Sequence, residues 1–530
     1  MNESIKTAKA VNETAAPSEH IRDLRATLDW LEAEGDLIVS DKEVNPDLEI
    51  IGLQKHFDGS CPLLFNNVTG KPDHRVVTNL FADTNVMNKM FGWPDDKTRT
   101  HTIAKALTNP VKPVEIAQDE APCQQVVIEN PKDVNDYVVP VRHTEYEPEL
   151  TVGSGIRCVS GEYFGHGTDT GYNRMNFRWG NVGTYQVAPG SHMWQVLQKH
   201  YEDDKPVPIT MCFGTPVACT LMAGAAYDYV ILPHGCDELG VAGAVQGSPI
   251  RLTKARTVDA MAMADAEVVF EGYINPRDRR YETAEAEEHD VQGRYHFHPE
   301  WAGYMGKSYK AATFHVTAVT MRKPEKKSII YALSPHTMDE HNIDTTIREG
   351  AMFELCNRIQ PGIIQDVVIP YAMTDWGGAM IQIKKKNRIE EGWQRNFLAA
   401  LSSTSQGLRV AIALSEDADL YDMDDVMWNI TTRVNPHTDI FHPVPGGRGQ
   451  TFMPSERMTA GDKEWKASNT RFEGGLCIDA TVPFGFEEDF LRPQYPIDKV
   501  KPEDFFDAEQ IANAKDRMKG WVVSLSKTGW

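Results

Sequence analysis

Residues 267–274, Glu-Val-Val-Phe-Glu-Gly-Tyr-Ile, decide which fold the middle of the chain adopts. β-branched and aromatic side chains dominate this run, a composition typical of a β-strand. Comparable short runs recur at 125–128, 177–180, 209–213, 250–252 and 313–319, whereas 191–201 has a helical pattern. Residues 220–224 fit the end of a strand and carry no assigned role. The sequence therefore predicts a central β domain, residues 125–327, with a barrel or sandwich architecture.

The region before this domain, residues 19–124, has an α/β pattern. Ile21, Leu24, Leu28 and Leu31 recur at helical spacing, and Gly35 follows where a helix C-cap would lie. Apolar runs at 62–65 and 75–77, separated by a turn-forming segment, predict two buried strands. A second helix is expected within 48–56. We therefore predict a small N-terminal α/β domain.

Alternating strands and helices return after residue 328. Strands are predicted at 329–331, 367–369 and 410–414, and helices at 352–359, 393–402 and 423–432. This alternation predicts a C-terminal α/β layer domain, residues 328–490. In residues 491–530, prolines precede a helical stretch near 507–519, which predicts a helical arm that packs on something else.

The composition limits the possible functions. A chain of 530 residues is too long for one hydrophobic core, so we expect about two to four domains. Its formal net charge of −22 repels nucleic acid and anionic membranes, so an anionic ligand needs a locally positive pocket. No apolar run approaches the roughly 18–20 residues of a membrane-spanning helix. We therefore expect neither nucleic-acid binding nor a membrane span.

Cysteine usage and the N-terminus indicate the compartment. The 8 cysteines are spread from Cys61 to Cys477 without a C-x-x-C pair, which favours reduced thiols over disulfides or a zinc site. Residues 1–18 are polar and lack the apolar segment of a secretory signal, so a frayed tail is expected. These features predict a cytoplasmic protein.

Residues 171–181 (GYNRMNFRWGN) carry the strongest functional signal, together with polar residues further along the chain. The amide oxygen of Asn173, the imidazole of His192 and the carboxylate of Glu238 would suit a hard divalent ion such as Mn²⁺, Mg²⁺ or Fe²⁺. A guanidinium, such as that of Arg178, and the ammonium of Lys384 would add positive charge for phosphate or carboxylate groups. Asn173 and Arg178 lie on opposite faces of a regular strand, so they can share a site only across a bulge or strand end.

Composition alone does not select these residues, but a family resemblance does. Segments 23–50, 267–274, 424–433 and 478–481 resemble, in the same order, the UbiD family of decarboxylases, and the similarity covers nearly the whole chain. The resemblance implies a flavin-binding central domain of split β-barrel type and a prenylated FMN cofactor supplied by a flavin prenyltransferase. It also implies that the C-terminal domain assembles the chain into a homo-oligomer, a dimer or a hexamer.

The resemblance also implies roles for individual residues. Asn173, His192 and Glu238 match the positions that hold a divalent metal (Mn, Fe or Mg) against the flavin phosphate, and K⁺ is expected as a further cation. Lys384 matches the lysine that contacts the phosphate. Arg178 matches an arginine facing substrate and flavin, and Glu300 matches the second of two active-site acids. The expected cofactor-binding residues are Asn173, Arg174, Met175, Asn176, Phe177, Arg178, Ser191, His192, Glu238 and Lys384.

The segment before Glu300 departs from the family pattern. Tyr295 stands where the first acid of the pair is expected, after an acidic, insertion-like stretch. Tyrosine is not anionic near neutral pH, so we expect Arg178 to lack this carboxylate partner and Glu300 to be the proton donor. His296 and His298 share a face if the segment is a strand. We expect both histidines to be hydrogen-bonded or exposed, because no third metal ligand lies near them in sequence.

The function implied by the resemblance is the non-oxidative, reversible decarboxylation of an aromatic carboxylic acid, or of an aromatic acyl-CoA such as phthaloyl-CoA. The expected route is a covalent adduct between the substrate and prenylated FMN, followed by protonation of carbon by a positioned acid. Two alternatives stay open. One is an FMN-dependent oxidoreductase built on a flavin-binding β-barrel, and the other is a non-catalytic subunit of a carboxylase complex, suggested by the missing acid.

Overall fold

The computed structural model describes residues 19–161, 167–188, 191–225, 237–323, 326–404, 408–443, 475–493 and 495–518. The predicted tail at residues 1–18 therefore lies outside the described residues. Helix α1, Leu24–Glu34, confirms the first predicted element. Asp23 caps it by accepting a hydrogen bond from the Ala26 amide, and Gly35 ends it in the left-handed conformation with φ 79°.

The N-terminal unit combines this helix with a small sheet. The elements that follow in chain order are β1 Ile38–Val44, α2 Glu49–His56, β2 Leu63–Val68, β3 His74–Thr78, α3 Thr84–Phe91, α4 Asp96–Thr108 and β4 Val114–Glu115. Leu28 and Leu31 of α1 are buried in the same core as Leu64 of β2 and Val77 of β3. The predicted α/β pattern of this region is therefore confirmed.

A large antiparallel sheet dominates the middle of the chain. Its region contains β5 Val126–Glu129, β6 Ile156–Ser160, β7 Thr168–Tyr172, β8 Met175–Trp179, β9 Val182–Tyr185, α5 His192–Glu202, β10 Val207–Phe213, α6 Val217–Gly224, α7 Glu238–Gln246, β11 Arg251–Lys254, β12 Met261–Met263, β13 Val268–Tyr281, α8 Ala284–Glu288, β14 His296–Pro299, β15 Met305–Lys307 and β16 Lys310–Met321. Eight strands form one sheet in the order β7-β6-β10-β13-β16-β9-β8, with β5 also pairing with β16.

The two ends of this sheet are neighbours along the chain. Strands β7 and β8 are the two edge strands of this sheet, and the described residues form no hydrogen-bonded ladder between them. The predicted split, barrel-like architecture is therefore confirmed in its open form. The described strands make a sheet that does not close into a barrel. Inside it, the ring centroid of Phe177 on β8 lies 5.6 Å from that of Phe270 on β13. This aromatic packing fixes the strand that begins directly after Arg174.

Helix α6 corrects one expectation from the sequence. Residues 220–224, which fit the end of a strand, belong to this helix, and all of its side chains are buried. A helix that is buried on every side has no polar face, so its hydrophobic pattern cannot be told from that of a buried strand.

The C-terminal region forms a second α/β unit. The elements from residue 328 onwards are β17 Ser328–Tyr331, α9 Met338–Ile359, β18 Ile364–Val368, β19 Gly378–Ile383, α10 Trp393–Thr404, β20 Val410–Ser415, α11 Met423–Arg433, β21 Ile440–Phe441, β22 Leu476–Ala480 and α12 Ala508–Asp516. Five of the strands form a sheet in the order β18-β19-β20-β22-β21, whereas β17 pairs with β3 in the N-terminal sheet. Among the described helices, none is long and apolar enough to cross a membrane.

Candidate active site

Three buried polar side chains converge from separate elements of the central region. Asp169 lies in β7, His192 is the first residue of α5, and Glu238 is the first residue of α7. His192 Nδ1 lies 3.2 Å from Glu238 Oε1 and 3.4 Å from Asp169 Oδ1. The Thr170 amide donates to Glu238 Oε2 at 2.7 Å, and Arg157 Nε donates to Asp169 Oδ2 at 2.7 Å.

The charges in this cluster depend strongly on one another. Burial raises the pKa of Glu238 to about 7, and the nearby charge of Asp169 adds to the rise. Burial acts to lower the pKa of His192, but the hydrogen bonds with Asp169 and Glu238 raise it to about 8. Burial likewise opposes ionisation of Asp169, yet Arg157 and His192 hold its pKa below the usual value.

The donor set fits a hard divalent ion. One ligand atom from each of Asp169, His192 and Glu238 lies within 4.8 Å of the others, and all three residues are buried. Asp169 Oδ1 is buried without a well-aligned hydrogen bond. Two carboxylates and an imidazole are ligands that Mn²⁺, Fe²⁺ and Mg²⁺ accept.

Asn173, which the sequence prediction placed in the metal site, has other partners. Its Oδ1 accepts hydrogen bonds from Arg157 Nη1 at 2.9 Å and from the Tyr185 hydroxyl at 2.6 Å. Its Nδ2 donates to the Gln186 carbonyl at 2.7 Å. The structure thus brings His192 and Glu238 together as predicted, but the third member of their cluster is Asp169.

An arginine that is largely buried, Arg174, forms the second part of the site with two acids; its side chain is 10% exposed. Arg174, between β7 and β8, makes a bidentate pair with Glu282 at 2.9 and 3.0 Å. Its Nη1 also donates to Glu300 Oε1 at 2.6 Å. Glu282 follows the end of β13 and Glu300 follows the end of β14. Burial raises the pKa of the Glu282 carboxyl despite its contact with Arg174.

Arg178, predicted to face the substrate, pairs with acids other than Glu282 and Glu300. Its Nη2 pairs with Glu287 at 2.9 Å and its Nε lies 3.3 Å from Glu149. The expectation that Arg178 lacks an acidic partner is therefore wrong. The expectation of one remaining acid is also wrong, because Glu282 lies beside Glu300 on the guanidinium of Arg174. Glu282 precedes the acidic insertion and so lies outside the segment just before Glu300, where the first acid was expected.

A cavity of about 230 Å³ opens onto Arg174 and Glu300. His298 and Gly153 form part of the same wall. Glu340 and Asp344, both from α9, also line the cavity, so the C-terminal unit contributes to it.

The remaining predicted residues occupy varied positions. Met175 and Phe177 are buried in the core of the sheet. Asn176 donates to the Glu282 carbonyl at 2.9 Å, and Ser191 caps α5 by accepting from the Trp194 amide. The Lys384 side chain is 47% exposed and pairs with Glu416. Its role as a phosphate contact stays a prediction.

The sequence contained a signal for the residues that were missed. Asn173 and Arg178 were linked by an offset of five positions, and the same offset separates Asp169 from Arg174. The motif can therefore be placed in two registers, four residues apart. The structure groups Asp169 with His192 and Glu238, and it pairs Arg174 with Glu300. The register that starts at Asp169, and not the one that starts at Asn173, therefore brings these polar side chains together.

Comparison with known proteins gives a consistent result over most of the chain. Residues 28–107, 114–336 and 341–480 match the N-terminal, Rift-related and C-terminal domains of 3-octaprenyl-4-hydroxybenzoate carboxy-lyase, the UbiD domains. Gallate decarboxylase from Lactiplantibacillus plantarum is 31% identical, over 89% of this chain and 96% of its own.

Solved structures agree with these matches. The UbiD-class enzyme HmfF from Pelotomaculum thermopropionicum, in complex with prFMN, has a TM-score of 0.76 and 25% identity, covering 92% of this chain and 100% of its own. Apo 3,4-dihydroxybenzoic acid decarboxylase (AroY) from Klebsiella pneumoniae has a TM-score of 0.77 and 25% identity, covering 91% and 98%.

The geometry around Glu300 generates a prediction about stability. A side chain at Gly306 would collide with Glu300 Oε1. Gly306→Ala should therefore displace the Glu300 carboxylate from Arg174 and lower the free energy of unfolding by about 1–3 kcal/mol, measured by urea denaturation. Gly52→Ala is the matched control, since a Cβ there meets nothing within 4 Å. Equal stability of the two variants would contradict the close contact.

Proposed function

Because the chain belongs to the UbiD family and is a carboxy-lyase, we propose that it removes CO₂ from an aromatic carboxylic acid by a non-oxidative, reversible reaction that uses prenylated FMN. The observation that carries this proposal is Arg174, which bonds with both Glu282 and Glu300 and lines the cavity together with Glu300. We propose a free acid rather than a CoA thioester, since the relatives named for their substrates act on gallate and 3,4-dihydroxybenzoic acid.

We propose that Asp169, His192 and Glu238 hold the divalent ion. Their three donor atoms are buried and close together, and Asp169 Oδ1, 3.4 Å from His192 Nδ1, has no well-aligned hydrogen bond that would compete with a cation. His192 and Glu238 also stand at the first turns of α5 and α7, where backbone amides favour anions such as a phosphate. Prenylated FMN, when bound, supplies the electron sink needed as CO₂ leaves an aromatic carbon.

The roles of the protein side chains follow from their contacts. Arg174 would attract the substrate carboxylate and orient the ring, because its charge is held in a site with little water. Glu282 would keep that guanidinium in place, since both of its oxygens bond with Arg174 and Oε2 also accepts from the Tyr309 amide at 2.9 Å. Glu300, in its acid form, would give its proton to the ring carbon that loses CO₂ and regain one from solvent.

The alternative of a non-catalytic subunit loses its main support. It was suggested by a missing acid, and Glu282 fills that place beside Glu300. No described feature favours an FMN-dependent oxidoreductase over the decarboxylase.

We also propose that the chain forms a homo-oligomer in the cytoplasm and receives its cofactor from a flavin prenyltransferase. The C-terminal arm supports self-association, because it leaves large apolar side chains uncovered in the single chain. These exposed residues are Leu491, Tyr495, Val500, Phe505, Phe506 and Met518. A second copy of the chain would bury them.

The first prediction of this proposal concerns the metal. Glu238→Gln removes one charged ligand with little change of shape, so the divalent-metal and flavin content of the purified protein should fall by at least about tenfold at limiting supply. Elemental analysis and flavin absorbance measure both quantities, and circular dichroism checks folding. Asn173→Ala is the control that separates the two registers of the motif. If Asn173→Ala loses the metal while Asp169→Asn keeps it, the proposed ligand set is wrong.

The second prediction concerns proton transfer. Glu300→Gln should retain the cofactor but lower CO₂ release by about 10²–10⁴-fold, because the amide cannot donate the required proton. Exchange of solvent deuterium into the product at the decarboxylated carbon should fall in parallel, as measured by mass spectrometry. Arg174→Lys should also be impaired, whereas Arg178→Lys serves as its matched control and should stay near the wild-type rate. Full activity of Glu300→Gln would place the proton donor elsewhere.

A further inference from the structure

His298 presents an unused hydrogen-bond acceptor next to the cavity. It lies in β14 with only 6% of its surface exposed, and it lines the cavity together with Arg174 and Glu300. Its Nδ1 lies 2.5 Å from the Pro299 carbonyl oxygen. A carbonyl oxygen only accepts hydrogen bonds, so Nδ1 carries the proton. In the neutral ring, Nε2 then has a free lone pair, and it is buried with no hydrogen-bond partner among the described residues.

The surroundings keep this imidazole neutral. Burial holds the pKa of His298 well below its usual value, and the positive charge of Arg174 and the ring of His143 act in the same direction. The ring of His143 lies 4.7 Å from that of His298, centroid to centroid. Nε2 of His298 is therefore an acceptor over the ordinary pH range and not a cation.

The neighbouring carboxylate does not turn this histidine into a metal ligand. Glu147 lies close enough to His143 and His298 for the three to hold an ion. However, Glu147 Oε2 already accepts from the backbone amide of His143 at 2.6 Å and faces its Nδ1 at 2.9 Å, and Oε1 accepts from the Thr151 hydroxyl at 3.1 Å. The carboxylate is thus engaged in fixing His143, while His298 Nε2 still lacks a donor.

Gly153 is a neighbour of this acceptor in the cavity wall. Gly153 lines the same cavity, and a Cβ at that position would lie 3.9 Å from His298 Nε2. Residue 153 therefore brings no side chain against this acceptor. A buried acceptor without a donor costs about 1–3 kcal/mol, so it favours any ligand that supplies one.

We propose that His298 Nε2 accepts a hydrogen bond from a ring hydroxyl of the substrate and so makes the site selective for hydroxylated aromatic acids. The inference rests on the proposed decarboxylase function and specifies its substrate class. A carboxylate has no proton to donate and would meet the Nε2 lone pair unfavourably, whereas Arg174 attracts it. The two side chains therefore orient the ring, with the carboxylate towards Arg174 and a hydroxyl towards His298.

Binding of non-reacting ligands tests this inference separately from catalysis. Catechol and 1,2-difluorobenzene have nearly the same shape, but only catechol can donate a hydrogen bond, and neither carries a carboxylate to lose. The cofactor-loaded wild type should bind catechol at least about tenfold more tightly, as measured by calorimetry. His298→Phe should abolish this preference, and His298→Gln, whose amide oxygen is an acceptor, should retain part of it.

His296→Phe is the matched control, because His296 lies in the same strand but is exposed. It should keep the full preference for catechol. Retention of the preference in His298→Phe, or its absence in the wild type, overturns the inference. If His298→Phe does not fold, a catechol preference of His298→Gln below that of the wild type supports the inference, and an unchanged one counts against it.

CO₂ release gives the second readout. The ratio of kcat/KM for 3,4-dihydroxybenzoate to that for 3,4-difluorobenzoate should fall at least about tenfold from wild type to His298→Phe. The two acids differ in intrinsic reactivity, but this difference affects the ratio equally in both proteins. A change of the ratio between the proteins therefore reports on the side chain alone. A wild type that discriminates catechol through His298 but releases CO₂ from no aromatic acid would refute the proposed reaction and not the hydroxyl contact. Active enzyme with an unchanged ratio refutes the hydroxyl contact alone.

Discussion

The burial of one guanidinium, that of Arg174, constrains the rest of the site. A cation removed from water is tolerated only where carboxylates face it with good geometry, and leaving one partner out is strongly destabilising. Glu282 and Glu300 meet this requirement, yet each is more than 100 positions from Arg174 in the chain. The large sheet brings these distant residues together. Its strands β8, β9, β16 and β13 are successive neighbours, which places the start of β8, beside Arg174, towards the end of β13, beside Glu282.

Arg157 connects this arginine with the cluster around Asp169. Its Nε bonds with Asp169 and its Nη1 with Asn173, the residue that precedes Arg174. Asn173 therefore acts as a spacer between the two halves of the site, held by Arg157 and Tyr185. A displacement of the strand end that carries Asp169 would be transmitted to Arg174 through these bonds, so the Asp169 cluster and the Arg174 group are positioned by one network.

The parts of the fold that the sequence predicted are those with a clear local signal. Helix α1 has apolar residues at helical spacing, an Asp cap and a C-terminal glycine, and the long strand β13 is rich in β-branched and aromatic residues. The buried helix α6 has no polar face and was missed. Within the site, His192 and Glu238 were paired correctly. Asp169 and Glu282 were missed because sequence spacing cannot choose between two registers or bridge an insertion.

Charge balance explains why an anionic ligand needs more than the protein's own side chains. The site sets two guanidiniums, those of Arg157 and Arg174, against four carboxyl groups, those of Asp169, Glu238, Glu282 and Glu300. Arg157 is paired with Asp169 and leaves no uncompensated positive charge for a phosphate. In the proposed reaction Glu300 is in its acid form, so Arg174 keeps its attraction for the substrate carboxylate. Protonation offsets part of the excess, since the pKa of Glu238 is raised to about 7. We infer that a divalent ion at the Asp169 cluster supplies the positive charge that a protein with a net charge of −22 otherwise lacks at this point.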